Sequence, residues 1–78
     1  MDYTYGSKKE VRLMQLNIRR LRIQKRLSQE ELARISGVSR PTISTLETNP
    51  NAITTTETLQ KIAMALGVRV SDFFANND

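Results

Sequence analysis

Arg19, Arg20, Arg22, Lys25 and Arg26 crowd one short stretch of this chain, and Arg40 follows among Ser39, Thr42, Ser44 and Thr45. Guanidinium forks and ammonium charges bind phosphate and planar acceptors. Small hydroxyl side chains add hydrogen bonds of short reach. These residue types favour binding of a polyanion over turnover. The chain has no Cys and no His, which removes thiolate nucleophiles, the usual zinc and copper ligands and the commonest general base. Ser28, Ser39 and Lys25 are explained by helix caps and solvent exposure. No enzyme activity, cofactor or metal site is expected.

The 78 residues amount to one small domain, because a chain of this length buries only about 60–65% of its unfolded surface. Charge is divided unevenly along it. Residues 1–40 carry ten Lys/Arg against four Asp/Glu, a balance of +6, whereas residues 41–78 carry two against four, a balance of −2. That asymmetry suits one face to a polyanion; basic charge alone leaves open DNA, RNA, an anionic membrane surface or a plainly solvated face. No apolar run is long enough to cross a membrane. Met1-Asp2-Tyr3-Thr4-Tyr5-Gly6 lacks the apolar segment of a signal peptide, and a cysteine-free domain fits the reducing cytoplasm.

Such groups need elements to hold them. Residues 1–9 read as a flexible arm and residues 10–78 as the folded domain. A first helix is expected from about Glu10 to Arg26, with Met14, Ile18 and Leu21 on one face and Leu27 entering the core at its end. Ser28-Gln29-Glu30-Glu31 is a capping box. It opens a second helix that runs to about Ser36 and buries Leu32, Ala33 and Ile35. Gly37 stops that helix in a left-handed conformation. Ser39 caps a third helix, with Pro41 tolerated in its first turn and Ile43 and Leu46 facing inward. Residues 48–52 form a loop in which Asn49 suits a left-handed conformation. Thr54 with Glu57 makes a second capping box for a fourth helix, whose Leu59, Ile62, Ala63 and Leu66 give the cleanest amphipathic stripe. Gly67 ends it, and Ser71 caps a short fifth helix through Phe73 and Phe74. The predicted class is all-α, with five short helices.

Two helices of about eight residues joined through Gly37 and a serine cap describe a helix-turn-helix. Its tight turn points the first residues of the later helix toward a major groove about 12 Å wide. The stretch from Ile18 to Phe74 resembles the phage repressor/Cro-type (Xre-like) helix-turn-helix family. The resemblance is carried by Ile18-Arg19-Arg20-Leu21-Arg22, Leu27-Ser28-Gln29-Glu30-Glu31-Leu32-Ala33, Ser36-Gly37-Val38-Ser39-Arg40, Thr42-Ile43-Ser44 and Leu46-Glu47. It continues in Thr58-Leu59, Ile62-Ala63, Ala65-Leu66-Gly67-Val68 and Asp72-Phe73-Phe74. It implies a compact five-helix, lambda-repressor-like domain that binds double-stranded DNA and regulates transcription. Arg40, Thr42, Thr45 and Ser44 are then expected at base edges, and Gln29, Ser39, Arg19, Arg22 and Lys25 at phosphates. Arg22 is expected to pair with Glu47 and lock the third helix. Pro41 stands where relatives often place a base-reading polar side chain, and residues 48–51 lack charge. The set of base contacts is therefore expected to be thin, with DNA shape taking a larger share.

One recognition helix reads too few base pairs to find a site in a genome. The resemblance therefore implies a homodimer on a short palindrome, with half-sites about 34 Å apart. Val70, Phe73 and Phe74, beside Val68, supply the expected dimer interface, one phenylalanine closing the core and the other shared. Repression is the expected role. With the chain ending at Asp78, no ligand-sensing domain and no small-molecule effector are expected. The alternative is a partner-binding module of the antitoxin kind, whose apolar C-terminal face meets another protein.

Overall fold

The computed structural model describes residues 16–49 and 51–74. The expected arm at residues 1–9, the proposed helix start at Glu10 and the stripe residue Met14 lie outside these. Among the described residues stand four α-helices and a closing 3-10 helix. They are α1 (Ile18–Gln24), α2 (Gln29–Ser36), α3 (Arg40–Thr48), α4 (Thr56–Leu66) and the 3-10 segment Val70–Phe74. The all-α class holds; among the described residues the expected fifth helix is a 3-10 segment, which leaves four α-helices rather than five.

α1 differs from expectation at both ends, through a long-range bond at its start and a local closure at its end. The backbone N–H of Asn17 donates to the Phe73 carbonyl at 3.0 Å, across the domain rather than up a helix, so the helix opens at Ile18. Its far end is closed by Arg26, which adopts φ +60. The Arg26 N–H donates to the Ile23 carbonyl and the Leu27 N–H to the Arg22 carbonyl, at 2.9 and 3.2 Å. That pair of bonds is the Schellman closure, usually built on glycine. It turns Leu27 back against the core.

α2 begins on the anticipated capping box. Ser28 Oγ accepts from the Glu31 N–H at 2.9 Å, and the Ser28 N–H donates to Glu31 Oε1 at 2.8 Å. The Ser28 N–H, and then its hydroxyl, hold the Glu31 carboxyl below its usual range. Gly37, at φ +78, ends the helix, and its N–H donates to the Ala33 carbonyl. Leu32 is fully buried and Ala33 packs against the core. Ile35, expected inside, is instead 50% exposed, because the inward stripe of α2 is no wider than those two positions.

α3 starts at Ser39, whose Oγ accepts from the Thr42 N–H at 3.3 Å. Asn49 follows it in an extended rather than left-handed conformation, φ −107 and ψ 104. Its side chain makes the turn instead: Asn49 Oδ1 accepts from the Asn51 N–H at 2.9 Å, an Asx turn that needs no positive φ. α4 is capped one residue later than expected. Thr55 Oγ1, not Thr54, accepts from the Thr58 N–H at 3.1 Å, which puts Thr58 rather than Glu57 three residues past the cap.

Leu59, Ile62, Ala63 and Leu66 are all buried, and Gly67 at φ +73 ends α4. The last segment tightens to 3-10 geometry and already includes Ser71, so Ser71 is not its cap. The Asp72 carboxylate accepts from the Arg69 N–H at 2.9 Å, and the Asp72 N–H donates to the Arg69 carbonyl. Phe73, with its side chain fully buried, completes one core with Ile18, Leu32, Val38, Ile43, Leu46 and the α4 stripe.

Candidate nucleic-acid interface

Three helix ends meet at one carboxylate. Arg22, in α1, donates from Nε to Glu47 Oε2 at 2.6 Å and from Nη2 to Glu47 Oε1 at 3.0 Å. Its Nη1 donates to the Leu27 carbonyl at 2.7 Å. Gln29, the first residue of α2, donates from Nε2 to Glu47 Oε1 at 2.9 Å. An ionised carboxylate accepts only, so the amide nitrogen must be the end that faces it. Glu47 lies near the end of α3, and its side chain is 1% exposed against 11% for Arg22. Burial by itself pushes the Glu47 carboxyl up, yet hydrogen bonds from Arg22 and Gln29, with the charges of Arg22 and Arg19, hold it below its ordinary value. The bond from Arg22 likewise raises the guanidinium above its already high value. The two-pronged geometry fixes direction as well as distance, so α3 is pinned to both helices that precede it.

With its last turn clasped, α3 turns its other face outward. Ser39, Arg40, Thr42 and Thr45 are exposed, while Ser44 is half-buried. Ser39 Oγ also meets Thr42 Oγ1 at 2.9 Å, and Thr48 Oγ1 donates to the Ser44 carbonyl at 2.8 Å. Of the residues expected near phosphate, Arg19 and Lys25 are exposed and Gln29 is half-buried. Arg22 is turned inward, its three bonds made within the domain. Of the expected dimer residues, Val70 and Phe74 are half-buried beside Val68, and Phe73 is enclosed in the core. Phe73 therefore belongs to the interior and offers no surface for a partner.

Two features were not anticipated from sequence. The Gln29–Glu47 bond joins residues 18 apart, and no local spacing announces such a contact. Ile53, in the loop before α4, is 89% exposed and borders an open depression with Pro41, Thr42, Thr45 and Leu46. The available signal was that Ile53 falls outside both neighbouring helix stripes. Among the described residues no group of three or more His, Cys, Asp or Glu could hold a metal ion. No helix among them is long and apolar enough to cross a membrane.

Residues 18–73 match a family model described as helix-turn-helix. No curated protein and no solved structure matches the chain.

Proposed function

From the premise that the chain belongs to the repressor/Cro-type helix-turn-helix family of DNA-binding regulators, we propose that it represses transcription from the cytoplasm as a homodimer on a short palindromic operator. α3 enters the major groove. The single observation that carries this reading is the clasp of Arg22, Gln29 and Glu47, which fixes the base of α3 while Arg40, Thr42 and Thr45 stay exposed on its first turns. Arg40, at the first helical position, reaches guanine O6 and N7, a pairing that discriminates by about 1–3 kcal/mol. Thr42, Ser44 and Thr45 lie against neighbouring base edges. Arg19, Lys25 and Ser39 meet phosphates, as does the second amide N–H of Gln29. Arg22 acts at one remove, by holding Glu47. The half-buried Val70 and Phe74, with Val68, form the contact between subunits.

Selection of sites from random DNA at physiological salt, with wild type and Arg40→Ala in parallel, tests the proposal. An inverted repeat is expected, its half-sites one helical turn apart, blurred at one base by the mutant. If a dimer neutralises roughly 6–8 phosphates, the log–log dependence of affinity on salt has a slope of about −5 to −7. Salt-sensitive binding without an enriched motif would instead favour the partner-binding alternative.

A further inference from the structure

Pro41, Thr42, Thr45, Leu46 and Ile53 line a shallow depression open to solvent. Pro41 and Thr45 stand one turn apart on α3, as do Thr42 and Leu46, so the helix builds one wall from neighbouring side chains. Leu46 is buried at its floor, and Ile53 comes from the loop before α4. At 89% exposed, Ile53 is the most exposed large apolar side chain among the described residues. An isoleucine so placed serves neither the core nor a helix stripe. None of the five residues carries charge. Pro41 brings no backbone donor, and the hydroxyl of Thr42 is engaged by Ser39. The carbon of Pro41, Leu46 and Ile53 shares the lining with the threonine side chains, and Pro41 and Thr45 belong to the exposed side of α3.

We propose that Ile53, with Pro41, Thr42 and Thr45, forms a notch that reads the C5-methyl group of a thymine. The inference rests on the reading that α3 enters the major groove, and it adds a residue outside that helix to the specificity set. Among the four bases thymine alone presents a methyl group in that groove. Enclosing the methyl against Ile53 removes apolar surface on both partners from water. A small-molecule ligand fits poorly, because such ligands bury most of their surface in closed clefts and this depression is open. A second copy of the chain would need a far larger apolar area than one isoleucine beside a shallow wall. The missing donor at Pro41 is thus matched by a contact of another kind, and base readout is richer than a count of polar groups on α3 suggests.

The probe is the duplex recovered by selection from random DNA, with each thymine replaced singly by deoxyuracil. That change deletes the methyl group and leaves the hydrogen-bonding edge intact. Binding of each duplex is measured for the wild-type chain and for Ile53→Ala, whose unchanged Tm is expected from the exposure of the site. One position per half-site should lose about threefold to fourfold in affinity with wild type, as expected for one buried methyl. The loss should vanish in Ile53→Ala. A recovered motif in which every deoxyuracil binds as well as thymine, or in which the loss persists in Ile53→Ala, overturns the notch while the DNA reading stands. Recovery of no motif overturns both. An Ile53→Ala variant that lowers the oligomeric state with thymine preference unaltered assigns the residue to a contact between copies, and the notch falls.

Discussion

The reading side of the domain and the helix behind it are held by different forces. α4 buries four side chains, Leu59, Ile62, Ala63 and Leu66, whereas α1 and α2 each bury one, Ile18 and Leu32, and α3 buries Ile43 and Leu46. Apolar burial is strong but has no direction; bonds to a carboxylate do. On the proposed reading, α3 leaves one face bare for a groove and cannot be gripped all round. α3 is accordingly seated on Ile43 and Leu46 and pinned near its end by the Glu47 clasp. On that reading α4 supplies stability, and the clasp supplies aim.

The largest effect is expected from breaking the apolar side. Ile62 is fully buried, so Ile62→Ala should destabilise by about 3–4 kcal/mol through lost burial and the cavity left behind. Met64, two residues on and 82% exposed, should tolerate Ala within about 0.5 kcal/mol. Chemical denaturation of both variants measures the contrast. Where Ile62→Ala is still folded, its preference for the selected site over random DNA should match wild type. A changed preference would mean that the core of α4 also sets the aim of α3.

Breaking the clasp should cost somewhat less stability and more specificity. Glu47→Ala leaves Arg22 withdrawn from solvent without its carboxylate, a loss of roughly 3 kcal/mol. Affinity for the selected site should fall further than affinity for random DNA, because α3 loses its fixed angle. Equal losses on both would assign the ion pair to stability alone. Acid sharpens the point. The folded Glu47 carboxyl sits below its ordinary value, so its contribution is fully present above the unfolded pKa of roughly 4.3 and disappears as pH falls through the lower folded value. Glu31 adds a smaller effect of the same sign. Tm is expected to drop below about pH 4 in wild type and to drop less in Glu47→Gln. Parallel acid profiles would detach the acid limb from the clasp.

The same division decides what could be seen in the sequence. Ser28, Ser39, Gly37, Gly67 and the α4 stripe were legible because each acts on residues within two turns of itself. The Arg22–Glu47 pair is non-local; family resemblance placed it where spacing could not. Thr54, Thr55 and Thr56 each offer a capping hydroxyl, and the helix uses Thr55 although Glu57 favours Thr54 as a capping box. The Gln29 bond to Glu47 and the Asn17 rung to Phe73 join distant segments, and no local pattern announces either. Ile53 carried no periodic signal. Its neighbours on α3 become visible once the loop has folded back.

The smallest expected effect falls on the turn between α1 and α2, where stability and the charge of the reading side oppose each other. Arg26 closes α1 at φ +60, a conformation that costs a side-chain-bearing residue roughly 1–2 kcal/mol and glycine almost nothing. Glycine loses more backbone freedom on folding, which offsets part of that difference. Arg26→Gly should therefore raise stability by about 1 kcal/mol or slightly less, measured by denaturant unfolding. The same substitution removes an exposed cation two residues before the Ser28 cap and three before Gln29. If Arg26 lies along the DNA backbone, the salt dependence should become shallower by about 0.9 for each subunit, and affinity should fall as stability rises. That opposition is the expected result, and it gives a physical reason for arginine at a position that favours glycine. A more stable variant with an unchanged salt slope would place this turn off the DNA and leave the left-handed arginine without a role in binding.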